Sequence, residues 1–182
     1  MSTEPRVLLL PGWQNSGPGH WQTLWEEKHH DHRVEQHEWM RPLRGDWSVR
    51  LEEEVLASPG DVVFAAHSLG CILVAAWAAH SRHTARVRGA LLVAPGDLER
   101  EDVRQMIPGW APIVRRPLPF PAVLIAANDD PYCEAARSRQ MASDWGARFV
   151  DAGARGHLNA ESGLGDWPEG RQLLNDVSKE KN

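Results

Sequence analysis

The chain has 182 residues, 42% of them hydrophobic and 25% charged, with a formal net charge of −5. That length suits one domain spanning residues 1–182, burying roughly 70% of the surface of its unfolded chain. The acidic balance without any Lys/Arg block argues against nucleic acid or an anionic membrane as the main partner, and Cys71 and Cys133 are too few for a disulfide scaffold.

Arg6–Leu10 carries the apolar run of a strand buried on both faces and is closed by Pro11-Gly12. It is too short for a signal peptide or a membrane span. A Gly/Pro/Asn/Ser loop over 12–19 leads into a helix over 20–29, where Trp21 and Trp25 share one face. Residues 33–39 read as a second, less apolar strand near an edge. Ser48 is a good N-cap for a helix running to Ala57, which Ser58-Pro59-Gly60 stops. The third strand, 61–66, is followed by a helix to about His80, and the fourth strand is 87–94. Four prolines between 97 and 119 exclude long elements there, leaving a short helix over 98–105 and a loop carrying Trp110. Strands over 120–127 and 147–151, with helices over 133–145 and 168–177, complete the chain. Strands alternating with helices imply an α/β fold: a mostly parallel six-stranded sheet between helices, an α/β/α sandwich. No repeat, low-complexity tract or linker breaks it.

The stretch from Asp61 to Trp77 is the most informative. Ala66-His67-Ser68-Leu69-Gly70, between an apolar strand and an apolar helix, has the form of a nucleophile elbow with Ala for the first Gly. Strand and helix backbones approach closely at such a bend, so the residues two before and two after the serine must be small. The alternative is a serine N-cap at an ordinary strand-to-helix turn.

A serine hydroxyl is a weak nucleophile at neutral pH and needs a base within hydrogen-bond reach. In elbow folds the chain order is serine, acid, histidine. Of the nine histidines only His157 follows the fifth strand, so elimination leaves it as the base. The acid should close a strand between Ser68 and His157. Asp130, held extended by Pro131, is favoured, with Asp129 and Asp97 as alternatives. An oxyanion hole needs two backbone donors, the amide after the nucleophile and one after the first strand: Leu69 N–H and Trp13 N–H.

These blocks carry a resemblance. Leu10-Pro11-Gly12-Trp13-Gln14-Asn15-Ser16-Gly17 with His20-Trp21-Gln22 resembles the opening of the small α/β-hydrolases related to retinoblastoma-binding protein 9 and YdeN. Ala66–Gly70, Asn128-Asp129-Asp130-Pro131-Tyr132 and Gly156-His157-Leu158-Asn159-Ala160-Glu161-Ser162-Gly163 are similar to that family too. The resemblance spans nearly the whole chain. It implies a compact α/β-hydrolase lacking the usual first two strands, with Ser68, Asp130 and His157 as the triad. Retinoblastoma binding through an L-x-C-x-E peptide does not carry over, because Leu69-Gly70-Cys71-Ile72-Leu73 lacks the Glu.

The expected activity is therefore that of a carboxylesterase-like serine hydrolase acting on small esters, thioesters or activated amides, without cofactor or metal. Its partner is a small acyl-bearing molecule, with no protein partner assigned and a cytoplasmic setting. The competing class is a protein-binding module that kept the fold and lost turnover. Ser16 and His20 are candidate substrate contacts, with a structural role at the helix start as the alternative. Trp110 is the candidate pocket wall, with core packing as the alternative, and His67 is expected to pack beneath the elbow. Lys28-His29-His30-Asp31-His32 reads as a solvated face rather than a metal site, since adjacent helical residues splay apart.

Overall fold

A computed structural model describes residues 4–180. Six strands form one sheet: β1 (Arg6–Leu10), β2 (His32–Arg33), β3 (Val62–His67), β4 (Val87–Val93), β5 (Ala122–Ala126) and β6 (Arg148–Asp151), in the order β2-β1-β3-β4-β5-β6. All five pairings are parallel. The helices are α1 (Trp21–His29), α2 (Arg44–Ala57), α3 (Leu69–Ala78), α4 (Glu101–Met106), α5 (Ala135–Trp145) and α6 (Pro168–Val177).

The inner strands β1, β3, β4 and β5 are largely apolar at successive positions because helices cover both faces of the sheet. Leu9, Val63, Ala65, Leu91, Val93, Val123 and Ile125 pack with Trp21 and Trp25 of α1 and Leu174 and Val177 of α6. The alternate positions Leu8, Leu10, Phe64, Ala66, Leu92 and Leu124 join α2, α3 and α5 on the other side. The period of two along each strand thus sorts the core into two halves. The result is a compact α/β-hydrolase fold in three layers.

Tryptophan does much of the joining between core and loops. Trp21, Trp25, Trp47, Trp110, Trp145 and Trp167 are among the largest fully buried side chains. A buried indole N–H must find an acceptor. Here Trp21 donates to Leu158 O at 3.0 Å, Trp25 to Asp166 O at 2.7 Å, Trp47 to Glu38 O at 3.1 Å and Trp145 to Val114 O at 2.7 Å. Each bond fastens an irregular segment to the core.

Two elements depart from expectation. The second strand stops at Arg33 instead of running to Trp39. Val34 N–H makes a last bond to Leu9 O, and the chain then leaves the sheet to lie over the loop after β1, where Gln14 N–H donates to Trp39 O. The Arg33 guanidinium is inside, donating to Asn15 Oδ1, Ser16 O, Thr23 Oγ1 and Glu26 Oε2. Helix α2 begins at Arg44 rather than at Ser48, whose hydroxyl instead bonds back to Arg44 O within the helix. Among the described residues no helix is long and apolar enough to cross a membrane.

Candidate active site

Ser68 stands between β3 and α3 with φ 54° and ψ −119°, a conformation that L-residues rarely adopt and that costs about 1–3 kcal/mol. The surrounding sequence holds it there. Gly70 faces the end of β1 so closely that a Cβ would overlap Leu10 O, and Ala66 is fully buried on β3. A Cβ on Gly12 would lie 2.9 Å from Ser68 Cβ and 3.2 Å from Leu69 N, so only glycine lets the β1 loop come this near the bend.

The loop after β6 brings His157 to the serine. His157 Nε2 lies 2.9 Å from Ser68 Oγ, and its Nδ1 lies 2.9 and 3.0 Å from the two Asp130 oxygens. A carboxylate only accepts, so Nδ1 carries the proton and the Nε2 lone pair faces the hydroxyl. Asp130 is nearly inaccessible, its side chain 1% exposed, and its Oδ1 also accepts from Tyr132 N at 2.9 Å. Asp129 and Asp97 are used elsewhere. Asp129 Oδ1 accepts from Gly156 N at 2.7 Å, which pins the loop bearing His157. Asp97 accepts from Glu99 N and pairs with Arg137.

Four more contacts fix that loop and ring. Leu158 O accepts from Trp21, and His157 O accepts from His67 Nε2 at 2.9 Å. The imidazole is flanked by His67 and Tyr132, with ring centroids 4.9 and 4.7 Å away. His67 is held well below the ordinary histidine pKa by burial, with His20 and His157 nearby adding to the shift. His20 is lowered to about 3, by burial first and then by Arg33 and His157.

A pocket of about 280 Å³ opens over Ser68. Trp13 and Leu69 both line it, and neither backbone N–H donates a hydrogen bond among the described residues. Leu69 is the first residue of α3, so the helix N-terminus adds its partial positive charge there.

A serine hydrolase family model matches residues 7–176. The chain belongs to the serine hydrolase family. It is similar to a YdeN-like hydrolase from Pectobacterium atrosepticum, at 28% identity and a TM-score of 0.83, covering 97% of this chain and 91% of that one. The ydeN gene product of B. subtilis matches at 18% identity and a TM-score of 0.78, covering 97% and 100%. A thermophilic esterase from Thermogutta terrifontis shares the fold at 18% identity and a TM-score of 0.66, covering 97% and 92%. No curated protein sequence matches.

This serine hydrolase departs from the sequence reading in its pocket. Trp110 is not a pocket wall. It is fully buried against Trp47 and donates to Pro42 O, because the insertion after β4 folds it inward. The same insertion supplies the wall through Leu98, Val103, Met106 and Ile107. Ser16 is also absent from the pocket lining, its hydroxyl donating to Gln22 Oε1 in the interior. His20 does line the pocket and is at the same time the N-cap of α1, accepting from Gln22 N through Nδ1. His67 closes β3, is buried against His20 and Trp21, and also lines the pocket. Tyr132, Asn15 and Asn159 also line it; the sequence reading names none of them as pocket residues, although each lies within two positions of a candidate site residue, Asp130, Ser16 or His157. Among the described residues no group of three His, Cys, Asp or Glu side chains could hold a metal; Lys28 instead pairs with Asp166 and His32 with Glu54.

Proposed function

We propose that this serine hydrolase cleaves small carboxylic esters, thioesters or activated amides through an acyl-enzyme on Ser68. His157 Nε2 takes the hydroxyl proton as Oγ attacks the carbonyl carbon, and Asp130 keeps the imidazole in the required tautomer and stabilises the imidazolium. The amides of Trp13 and Leu69 stabilise the oxyanion. As the intermediate collapses, His157 protonates the leaving group. A water molecule, deprotonated by His157 in turn, then releases the acid and restores Ser68.

The observation that supports this most is the continuous run of contacts from Asp130 through His157 to Ser68, each about 2.9 Å. The confined pocket supports small substrates over long-chain lipids. A fluorophosphonate probe tests the reading. Wild type is expected to label and to hydrolyse p-nitrophenyl acetate. Ser68→Ala is expected to do neither, with kcat falling on the order of 10⁶-fold. A wild-type protein that neither labels nor turns over the ester defeats the proposal.

A further inference from the structure

Two unlike sets of side chains line the pocket over Ser68. One is Leu98, Val103, Met106 and Ile107, from the insertion after β4. The other is Asn15, from the loop after β1, and Asn159, from the loop after β6. No Asp, Glu, Lys or Arg lines the space.

The two asparagines are built alike. Asn15 Oδ1 accepts from Arg33 Nη1 at 2.7 Å and from Ser16 N at 2.8 Å. Asn159 Oδ1 accepts from Glu161 N at 3.1 Å. With donors facing each oxygen, neither amide can turn over without setting N–H against N–H. Their Nδ2 groups are thereby assigned, and neither has an acceptor among the described residues. His20 adds a further unmet donor. Its Nδ1 accepts from Gln22 N, so Nε2 carries the proton, and that atom is buried without a partner.

We infer that the substrate carries an uncharged hydrogen-bond acceptor, a carbonyl or hydroxyl oxygen, held by the side-chain amides of Asn15 and Asn159, beside an apolar group seated on Leu98, Val103, Met106 and Ile107. This rests on acyl transfer at Ser68 and names the substrate class that reading leaves open. A charged substituent is disfavoured because the pocket offers no counter-ion while removing part of the ion's hydration. Burial also keeps His20 and His67 neutral, so neither supplies a cation.

The test compares p-nitrophenyl esters of matched shape: pentanoate, 4-oxopentanoate, hemisuccinate and 4-(trimethylammonio)butanoate, each corrected for its rate with hydroxide. Wild type is expected to favour the 4-oxo ester over pentanoate at least tenfold in kcat/KM, and over both ions by at least as much. Asn15→Asp and Asn159→Asp keep the oxygen that Arg33 or Glu161 N requires and replace the free donor by an acceptor. In each the 4-oxo/pentanoate ratio is expected to fall about tenfold, and comparing esters within one variant cancels any change at His157. A wild-type ratio near one, a preference for either ion, or a ratio unmoved in both variants overturns the inference. A protein that labels with fluorophosphonate yet hydrolyses neither neutral ester also overturns it. Absence of labelling at Ser68 would instead defeat the acyl-enzyme reading.

Discussion

Asp130→Asn is the sharpest probe of the proposed chemistry, because it changes one atom inside a network whose hydrogen bonds are all assigned. Oδ1 accepts from Tyr132 N at 2.9 Å, so the carboxamide oxygen must stay on that side. Its NH₂ then occupies the Oδ2 position, 2.9 Å from His157 Nδ1. That NH₂ is a donor to an unprotonated Nδ1 and favours the tautomer with the proton on Nε2, in which the lone pair facing Ser68 is lost. The retained oxygen, 3.0 Å from Nδ1 but already bonded by Tyr132 N, is left as the weaker acceptor for the other tautomer. The same exchange in a protease triad lowers kcat about 10⁴-fold, which corresponds to about 5.5 kcal/mol of transition-state stabilisation. The fold is expected to survive, since the replacement is isosteric and removes a carboxylate from a site only 1% exposed. Single-turnover acylation with a p-nitrophenyl ester reads the step directly, with thermal melting as the control. Asp129→Asn keeps the acceptor for Gly156 N, and Asp97→Asn keeps the one for Glu99 N, so both are expected to stay within about tenfold of wild type. An Asp130→Asn protein with a tenth of wild-type kcat, or an Asp129→Asn or Asp97→Asn protein as impaired as Asp130→Asn is expected to be, refutes the assignment of the acid.

Two other outcomes concern the scaffold. His20 has its pKa lowered to about 3 and His67 is lowered too, so below the ordinary value of about 6.5 the unfolded chain binds protons that the folded one refuses. Their contribution is intact above pH ~6.5 and is lost on acidification by about 1.4 kcal/mol per pH unit for each group; thermal melts from pH 7 to 4 should show it, His20→Asn should flatten part of the slope, and a flat profile between pH 7 and 5 contradicts it. Gly70→Ala drives a Cβ into Leu10 O, backbone against backbone, and should cost about 3 kcal/mol. That is a fall in Tm of roughly 6–12 °C, and an unchanged melting temperature would mean that β1 and α3 do not meet as described.

The sheet was legible because its inner strands β1, β3, β4 and β5 are largely buried on both faces, which writes them as short apolar runs. The one strand misread, 33–39, lacks that signature. Val34 and Trp39 are its only apolar residues, a pattern that a segment covering a loop also displays, and the buried guanidinium of Arg33 has no periodic signal at all. The bend at Ser68 was legible for a local reason, since two small residues flank it at fixed spacing. The pocket was not. Trp110 and the run Leu98–Ile107 belong to one irregular insertion, and nothing in composition tells which of its apolar side chains turn inward and which face the cleft.

The same difference separates the acid from its neighbour. Asp129 and Asp130 are adjacent, both polar and both at the end of β5, so chain order alone cannot rank them. What divides them in space is a pair of hydrogen bonds that point in opposite directions. Asp130 turns inward under Tyr132 N toward the imidazole, and Asp129 turns outward to hold Gly156 N one residue before His157. The loop that carries the histidine is thus anchored by one carboxylate while its ring meets the other. Trp21 and His67 grip the carbonyls of the next two residues from the core side. Four fixed points across three residues leave the ring little freedom. Such restraint is what a base needs if its lone pair is to meet a hydroxyl held on a strained turn.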